Sequence, residues 1–97
     1  GYSASKGGVM QLTRSLAAAW AQENIRVNAV APGWIATPLT QPLQDNEQQA
    51  MPIMRRTPLR RWGLPDEIGS VVRFLLSDEA RFMTGAIVPV DGGYSAV

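Results

Sequence analysis

The sequence predicts an α/β fold, the C-terminal portion of a doubly wound parallel sheet, and three observations predict it. Helical and strand patterns alternate along the 97 residues in the order helix, strand, irregular segment, helix, strand. The two strand patterns are separated by a helix, so they should pair in parallel through a right-handed βαβ crossover. Two parallel strands make a poor isolated sheet, because parallel sheets are normally covered on both faces and contain more strands. The pattern therefore reads as the tail of a larger sheet.

Residues 3–23 read as the first helix, with Val9, Leu12, Leu16 and Trp20 recurring at spacings of three and four as one apolar stripe. Ala17, Ala18 and Ala19 add propensity, and Asn24 suits the left-handed residue of a helix C-cap. Gly7 and Gly8 lower the propensity and allow close approach of another backbone. Residues 25–31 read as a buried strand, favoured by Val27 and Val30 and ended by Pro32-Gly33. Residues 38–62 carry Pro38, Pro42, Pro52 and Pro58 and show no long helical period, so short helical turns and loop are expected. Residues 65–77 give the clearest helix. Pro65 suits its first turn, Asp66 and Glu67 favour the positive end of its dipole, and Ile68, Val71, Val72, Leu75 and Leu76 follow the i, i+3, i+4, i+7, i+8 pattern. Residues 86–90 read as a second strand, which Pro89 assigns to a sheet edge, closed by a structural turn at Asp91-Gly92-Gly93.

Composition narrows the chemistry. The chain has neither cysteine nor histidine, so disulfides, thiolate nucleophiles, cysteine zinc sites and histidine general bases are excluded within it. Acid–base work must fall to Asp, Glu, Tyr or Lys. Nine basic against eight acidic residues leave a net charge of +1, which gives no field to gather nucleic acid or an anionic membrane. No apolar run reaches the ~18–20 residues that span a bilayer and no signal peptide opens the chain, so a cytoplasmic protein is the expectation. The first residue is Gly1, which reads as a piece of a longer translation product.

Tyr2 and Lys6 stand four residues apart at the start of the first helix, a spacing that puts both side chains on one face. A free phenol titrates near pH ~10, and a neighbouring ammonium lowers that value by favouring the phenolate. The pair can therefore serve as a tuned acid/base, although Tyr-x-x-x-Lys by itself is a weak signal. Its context is specific. Tyr2-Ser-Ala-Ser-Lys6-Gly-Gly, Ile25-Arg-Val-Asn-Ala-Val-Ala-Pro-Gly33 and Asp91-Gly-Gly93 occur in an order and spacing that resemble the classical short-chain dehydrogenase/reductase family, over essentially the whole chain.

The resemblance implies the C-terminal part of one Rossmann-type domain over residues 1–97, with 38–62 as its substrate lid. It implies an oxidoreductase that transfers a hydride between NAD or NADP and an alcohol or ketone. Tyr2 would move the substrate's hydroxyl proton, and Lys6 would depress the tyrosine's pKa and hold the nicotinamide ribose. Pro32, Gly33, Ile35 and Thr37 match the family's Pro-Gly-x-Ile-x-Thr stretch at the nicotinamide end of the cofactor. That stretch follows the carboxyl end of a parallel strand, where open α/β sheets bind ligands, and Gly33 would let backbone approach the ligand closely. The family's Gly-rich phosphate turn, catalytic serine and active-site asparagine would lie upstream. No metal is implied, and a homotetramer or homodimer is expected of the intact protein.

Trp34 and Leu39 are candidates for lining an apolar substrate pocket, and Trp20 and Trp62 for packing or interface. Arg55, Arg56, Arg60 and Arg61 read as a solvated face or as partners of nearby acids, with attraction of an anionic substrate as the alternative. A second reading of the whole chain stays open: a non-catalytic truncated fragment acting at most as an association module, because its core is thin and its tyrosine stands at a terminus.

Overall fold

A computed structural model describes residues 2–97, with side chains from Ala4 onward; the side chain of Tyr2 lies outside the described residues. Helix α1 (Tyr2–Trp20) runs into a 3₁₀ turn (Ala21–Glu23) and stops at Asn24, whose φ of 62° is the left-handed C-cap expected. Strand β1 is Ala29–Pro32, and helices α2 (Gln41–Gln44), α3 (Glu47–Arg56) and α4 (Pro65–Leu76) lead to strand β2 (Ile87–Val90). The strands pair in parallel, Ala29 opposite Ile87 through Pro32 opposite Val90. Ala29 N–H donates to Ala86 O and Gly33 N–H to Val90 O, so the alternate residues Ile87 and Pro89 turn their amide positions away from β1. The nitrogen that cannot donate thus faces outward, which is how a strand at an edge tolerates proline.

The strand expected over residues 25–31 is shorter, because residues 25–28 tie the chain down through side chains instead. The Arg26 guanidinium donates to Leu75 O (2.8 Å), Met83 O (3.1 Å) and Ser77 O (3.5 Å), placing a cation on the last carbonyls of α4. The Asn28 amide donates to Met83 O (3.1 Å) and accepts from Ala86 N–H (3.0 Å), fixing the loop that feeds β2.

Residues 38–62 are more helical than their prolines suggest, since α3 runs ten residues with Pro52 inside it. Its signals are local. The Asn46 side chain caps Gln49 N–H, Glu47 sits in the first turn and Arg55 and Arg56 in the last. Ala50, Ile53, Met54 and Thr57 form the inward stripe, a period visible only when alanine and threonine are counted with the large apolar residues.

The apolar stripe of the first helix faces outward: among its described residues Thr13 and Ala17 are buried, whereas Val9 (56% exposed), Leu12 (58%) and Trp20 are exposed. The hydroxyl of Thr13 returns to Val9 O (2.7 Å), which lets a polar residue sit inside. Along α4 only Leu75 is fully buried, Ile68 and Val71 are half-buried, and Leu76 is exposed. Among the described residues the buried apolar set is Ala17, Ala50, Leu75 and Ala80. The radius of gyration, 15.5 Å, exceeds the ~13 Å of a compact chain this long. The layer covers its sheet incompletely, as a tail of a larger sheet would. No described helix is long and apolar enough to cross a membrane.

Candidate functional site

The carboxyl ends of β1 and β2 converge at Gly33. A Cβ there would stand 2.7 Å from both Cα and Cβ of Asp91, so only glycine lets the two chain segments meet. In this structure the close approach that Gly33 permits is therefore by Asp91, where a ligand was expected. The chain then pairs across to Gly63: Gly63 N–H donates to Trp34 O (2.9 Å) and Ala36 N–H to Gly63 O (2.8 Å). A Cβ at Gly63 would meet Ile35 Cδ1 at 2.7 Å, so the Ile35 side chain lies over that glycine. Trp34 and Trp62 meet edge to face, 6.2 Å between centroids, which gives Trp62 the packing role expected of it.

Thr37 belongs to a compact polar knot that motif reading did not single out. Thr40 Oγ1 donates to Ile35 O (2.7 Å) and accepts from Thr37 N–H (3.0 Å). Thr37 Oγ1 accepts from Thr40 N–H (3.3 Å), and the Gln44 amide donates to both Thr40 Oγ1 and Thr37 O. Thr40 and Gln44 thus fix the backbone of the predicted cofactor loop. The signal was available as a Thr-x-x-Thr turn before a helix start. Among the described residues the N–H of Ile35 makes no hydrogen bond, while the Thr37 hydroxyl lies 3.4 Å from Thr40 Oγ1, to which it can donate. The Ile35 N–H is a donor at the carboxyl end of a parallel strand, which fits an amide-bearing ligand.

Lys6 is exposed on α1. Its ammonium acts on Asp91, whose carboxyl is held below the usual carboxylate range first by the Ser95 hydroxyl, then by the N–H groups of Gly93 and Ser95, and last by Lys6. Asp91 and Gly33 meet at the carboxyl end of the sheet. Pro32 is exposed at the end of β1, and Leu39 is 91% exposed. The paired Tyr2–Lys6 geometry expected from the sequence lies outside the described residues.

A cavity of about 120 Å³ opens behind the turn, lined by Trp34, Ile35, Leu59, Ile68 and Val90 among others. It is below the ~300 Å³ of ordinary ligand pockets, and Lys6, Pro32, Gly33 and Thr37 do not line it. A wider groove of about 380 Å³ follows Arg26, Asn28, Val30 and Leu75 between β1 and α4, away from the carboxyl end of the strands.

Three of the clustered arginines serve local structure. Arg61 makes a bidentate pair with Glu67 (2.7 and 2.8 Å), and Glu67 also accepts Leu64 N–H (2.9 Å). The Arg61 guanidinium and that N–H draw the Glu67 carboxyl down to about 2. Arg60, at φ 58°, folds back onto the carbonyls of Met54 and Arg55 that end α3. Arg56 reaches Tyr94.

Residues 1–95 match the family model described as enoyl-(acyl carrier protein) reductase. The chain is 46% identical over 95 residues to the 2-dehydro-3-deoxy-D-gluconate 5-dehydrogenase of Escherichia coli, covering 98% of itself and 38% of that protein. It is 48% identical over 94 residues to the galactitol 2-dehydrogenase (L-tagatose-forming) of Cereibacter sphaeroides, covering 97% of itself and 37% of that protein. Among solved structures, a 4-hydroxyisoleucine dehydrogenase complexed with NADH superposes with a TM-score of 0.94 at 41% identity, over 99% of this chain and 40% of that one. A protein of Agrobacterium tumefaciens with bound NADP gives a TM-score of 0.94 at 43% identity, over 99% of this chain and 39% of that one.

Proposed function

The chain belongs to the short-chain dehydrogenase/reductase family, and from that premise we propose that it carries the acid–base half of an NAD- or NADP-dependent alcohol dehydrogenase or ketone reductase. The observation that carries the reading is the meeting of Gly33 and Asp91 at the carboxyl ends of β1 and β2. That is the ligand end of an open α/β layer, and it adjoins a loop in which the Ile35 N–H is a donor without a partner among the described residues. A nicotinamide bound there would supply or take the hydride, held through Lys6, Pro32, Gly33, Ile35 and Thr37. In reduction Tyr2 gives its proton to the carbonyl oxygen, and in oxidation it removes the hydroxyl proton. The Lys6 ammonium makes this feasible near neutral pH by stabilising the phenolate. Trp34 and Leu39 offer apolar surface to the substrate, residues 38–62 form the lid over it, and residues 1–97 act as the C-terminal part of one Rossmann-type domain. The substrates named for the relatives in E. coli and C. sphaeroides, a sugar acid and a polyol, support a small polyhydroxylated alcohol or ketone as the substrate class.

Tyr2→Phe in a full-length protein containing these residues tests the assignment. Turnover should fall by about 10²–10⁴-fold, the usual contribution of a positioned acid/base, while NAD(P)H affinity stays within a factor of about two or three. Turnover close to that of the unaltered protein would refute the role of Tyr2. The alternative, an association module without catalysis, draws support from the thin buried set and the outward stripe of α1. Catalysis by a full-length protein containing these residues, abolished by Tyr2→Phe, would eliminate it.

A further inference from the structure

The C-terminal turn does more than close β2. Helix α3 ends at Arg56, whose guanidinium carbon lies 4.5 Å from the centroid of the Tyr94 ring while its Nη1 donates to the Tyr94 hydroxyl (3.2 Å). The next residues lie directly on the turn. Leu59 N–H donates to Gly92 O (3.1 Å). Cβ atoms at Gly92 and Gly93 would stand 3.0 Å from Thr57 Cγ2 and 2.8 Å from Pro58 Cγ. With φ of 62° and 93°, the two glycines serve both the turn and the segment packed on it. The turn is itself locked, because the Asp91 carboxylate accepts the N–H groups of Gly93 (3.0 Å) and Ser95 (3.1 Å). Arg60 completes α3 by capping its last carbonyls, which leaves Arg56 to reach across. Helices α2 and α3 are otherwise loosely held: over residues 41–56 only Ala50 is buried.

We propose that Tyr94 and Arg56 are positioning residues, through which the Asp91–Tyr94 turn pins the C-terminal end of α3 and sets where the 38–62 segment rests over the substrate. The proposal deepens the reading of 38–62 as a lid and rests on it. The anchored strut passes from the sheet through Asp91, Gly93 and Tyr94 to Arg56. The Arg56–Tyr94 contact is its one exposed side-chain pair, and it can be weakened without opening a cavity.

The test uses a full-length protein carrying these residues, with Tyr94→Phe, Tyr94→Leu, Arg56→Gln and Arg56→Lys. Amide exchange of Ile53–Thr57 is read against the amides of α4 as an internal control for folding. KM and kcat are measured with galactitol as the probe substrate. In Tyr94→Leu and Arg56→Gln, exchange at Ile53–Thr57 should quicken roughly fivefold, as expected for losing an exposed cation–π contact and its hydrogen bond. The α4 amides should be unchanged, Tyr94→Phe and Arg56→Lys should fall between, and KM should rise with kcat nearly constant. Unchanged exchange at Ile53–Thr57 in Tyr94→Leu would overturn the pin. Faster exchange with an unchanged KM would support the pin and overturn the lid.

Discussion

Two regions of the molecule are held in opposite ways. The strand-end region, from Arg26 through the Asp91–Tyr94 turn, is stitched by side chains reaching across more than 50 residues of sequence, Arg26 to Met83 and Asn28 to Ala86 among them. Helix α1, which bears Lys6, buries among its described residues only Thr13 and Ala17 and turns Val9, Leu12 and Trp20 outward. The chain fixes its own two-strand sheet. The described residues leave the apolar stripe of α1 uncovered.

The largest break in this contrast is Gly33→Ala. The new methyl meets the Asp91 backbone at 2.7 Å, and backbone cannot swing aside, so chemical denaturation should show a loss of about 3 kcal/mol. Gly8→Ala is the matching change on α1, where an added Cβ meets nothing within 4 Å. It should raise helicity by circular dichroism, worth about 0.5–1 kcal/mol to the helix. Similar losses from both changes would erase the distinction. Next comes Arg26→Ala, which strips the last carbonyls of α4 and Met83 of a cationic donor. A destabilisation of about 2 kcal/mol is expected, with Arg26→Lys recovering only part because a point charge cannot fork to several carbonyls.

The smallest effect is that of acid on the stitched side. Glu67 titrates at about 2 in the folded chain against the usual 4.5. A depressed carboxyl contributes stability that is complete above its unfolded pKa and disappears as pH falls through the folded one. The Arg61–Glu67 contribution should therefore fade between pH 4.5 and about 2. Asp91, depressed as well, adds to the same acid-side loss. The pair is exposed, so the effect is modest. Glu67→Gln should flatten the stability–pH curve in that window, and an unchanged slope would show that the ion pair is unimportant.

The contrast also marks what could be read from the sequence. The order of elements, the Asn24 stop, α4 and the Asp91–Gly93 turn were legible because each rests on local chemistry: a left-handed cap, a proline at a first turn, a 3.6-residue period, a glycine pair. The inward stripe of α3 was hidden by the smallness of Ala50 and Thr57. The α1 stripe was legible as an apolar face, but periodicity does not show what covers it. The Arg26 and Asn28 tethers and the contact of Gly33 with Asp91 join residues more than 45 positions apart, and no local pattern encodes such pairs. The arginine cluster became interpretable only when Glu67, Tyr94 and the end of α3 were seen beside it.

Limited proteolysis of the 97-residue chain by trypsin, with cleavage rates followed site by site, tests the central claim most directly. Lys6 and Arg14 lie on the weakly packed helix, and Arg26 lies in the stitched region with its guanidinium on the carbonyls of Leu75 and Met83. Early cuts after Lys6 and Arg14 with the Arg26–Val27 bond surviving are the result predicted for a self-supported sheet beside a weakly packed first helix. Cleavage after Arg26 as fast as after Arg14 would contradict it.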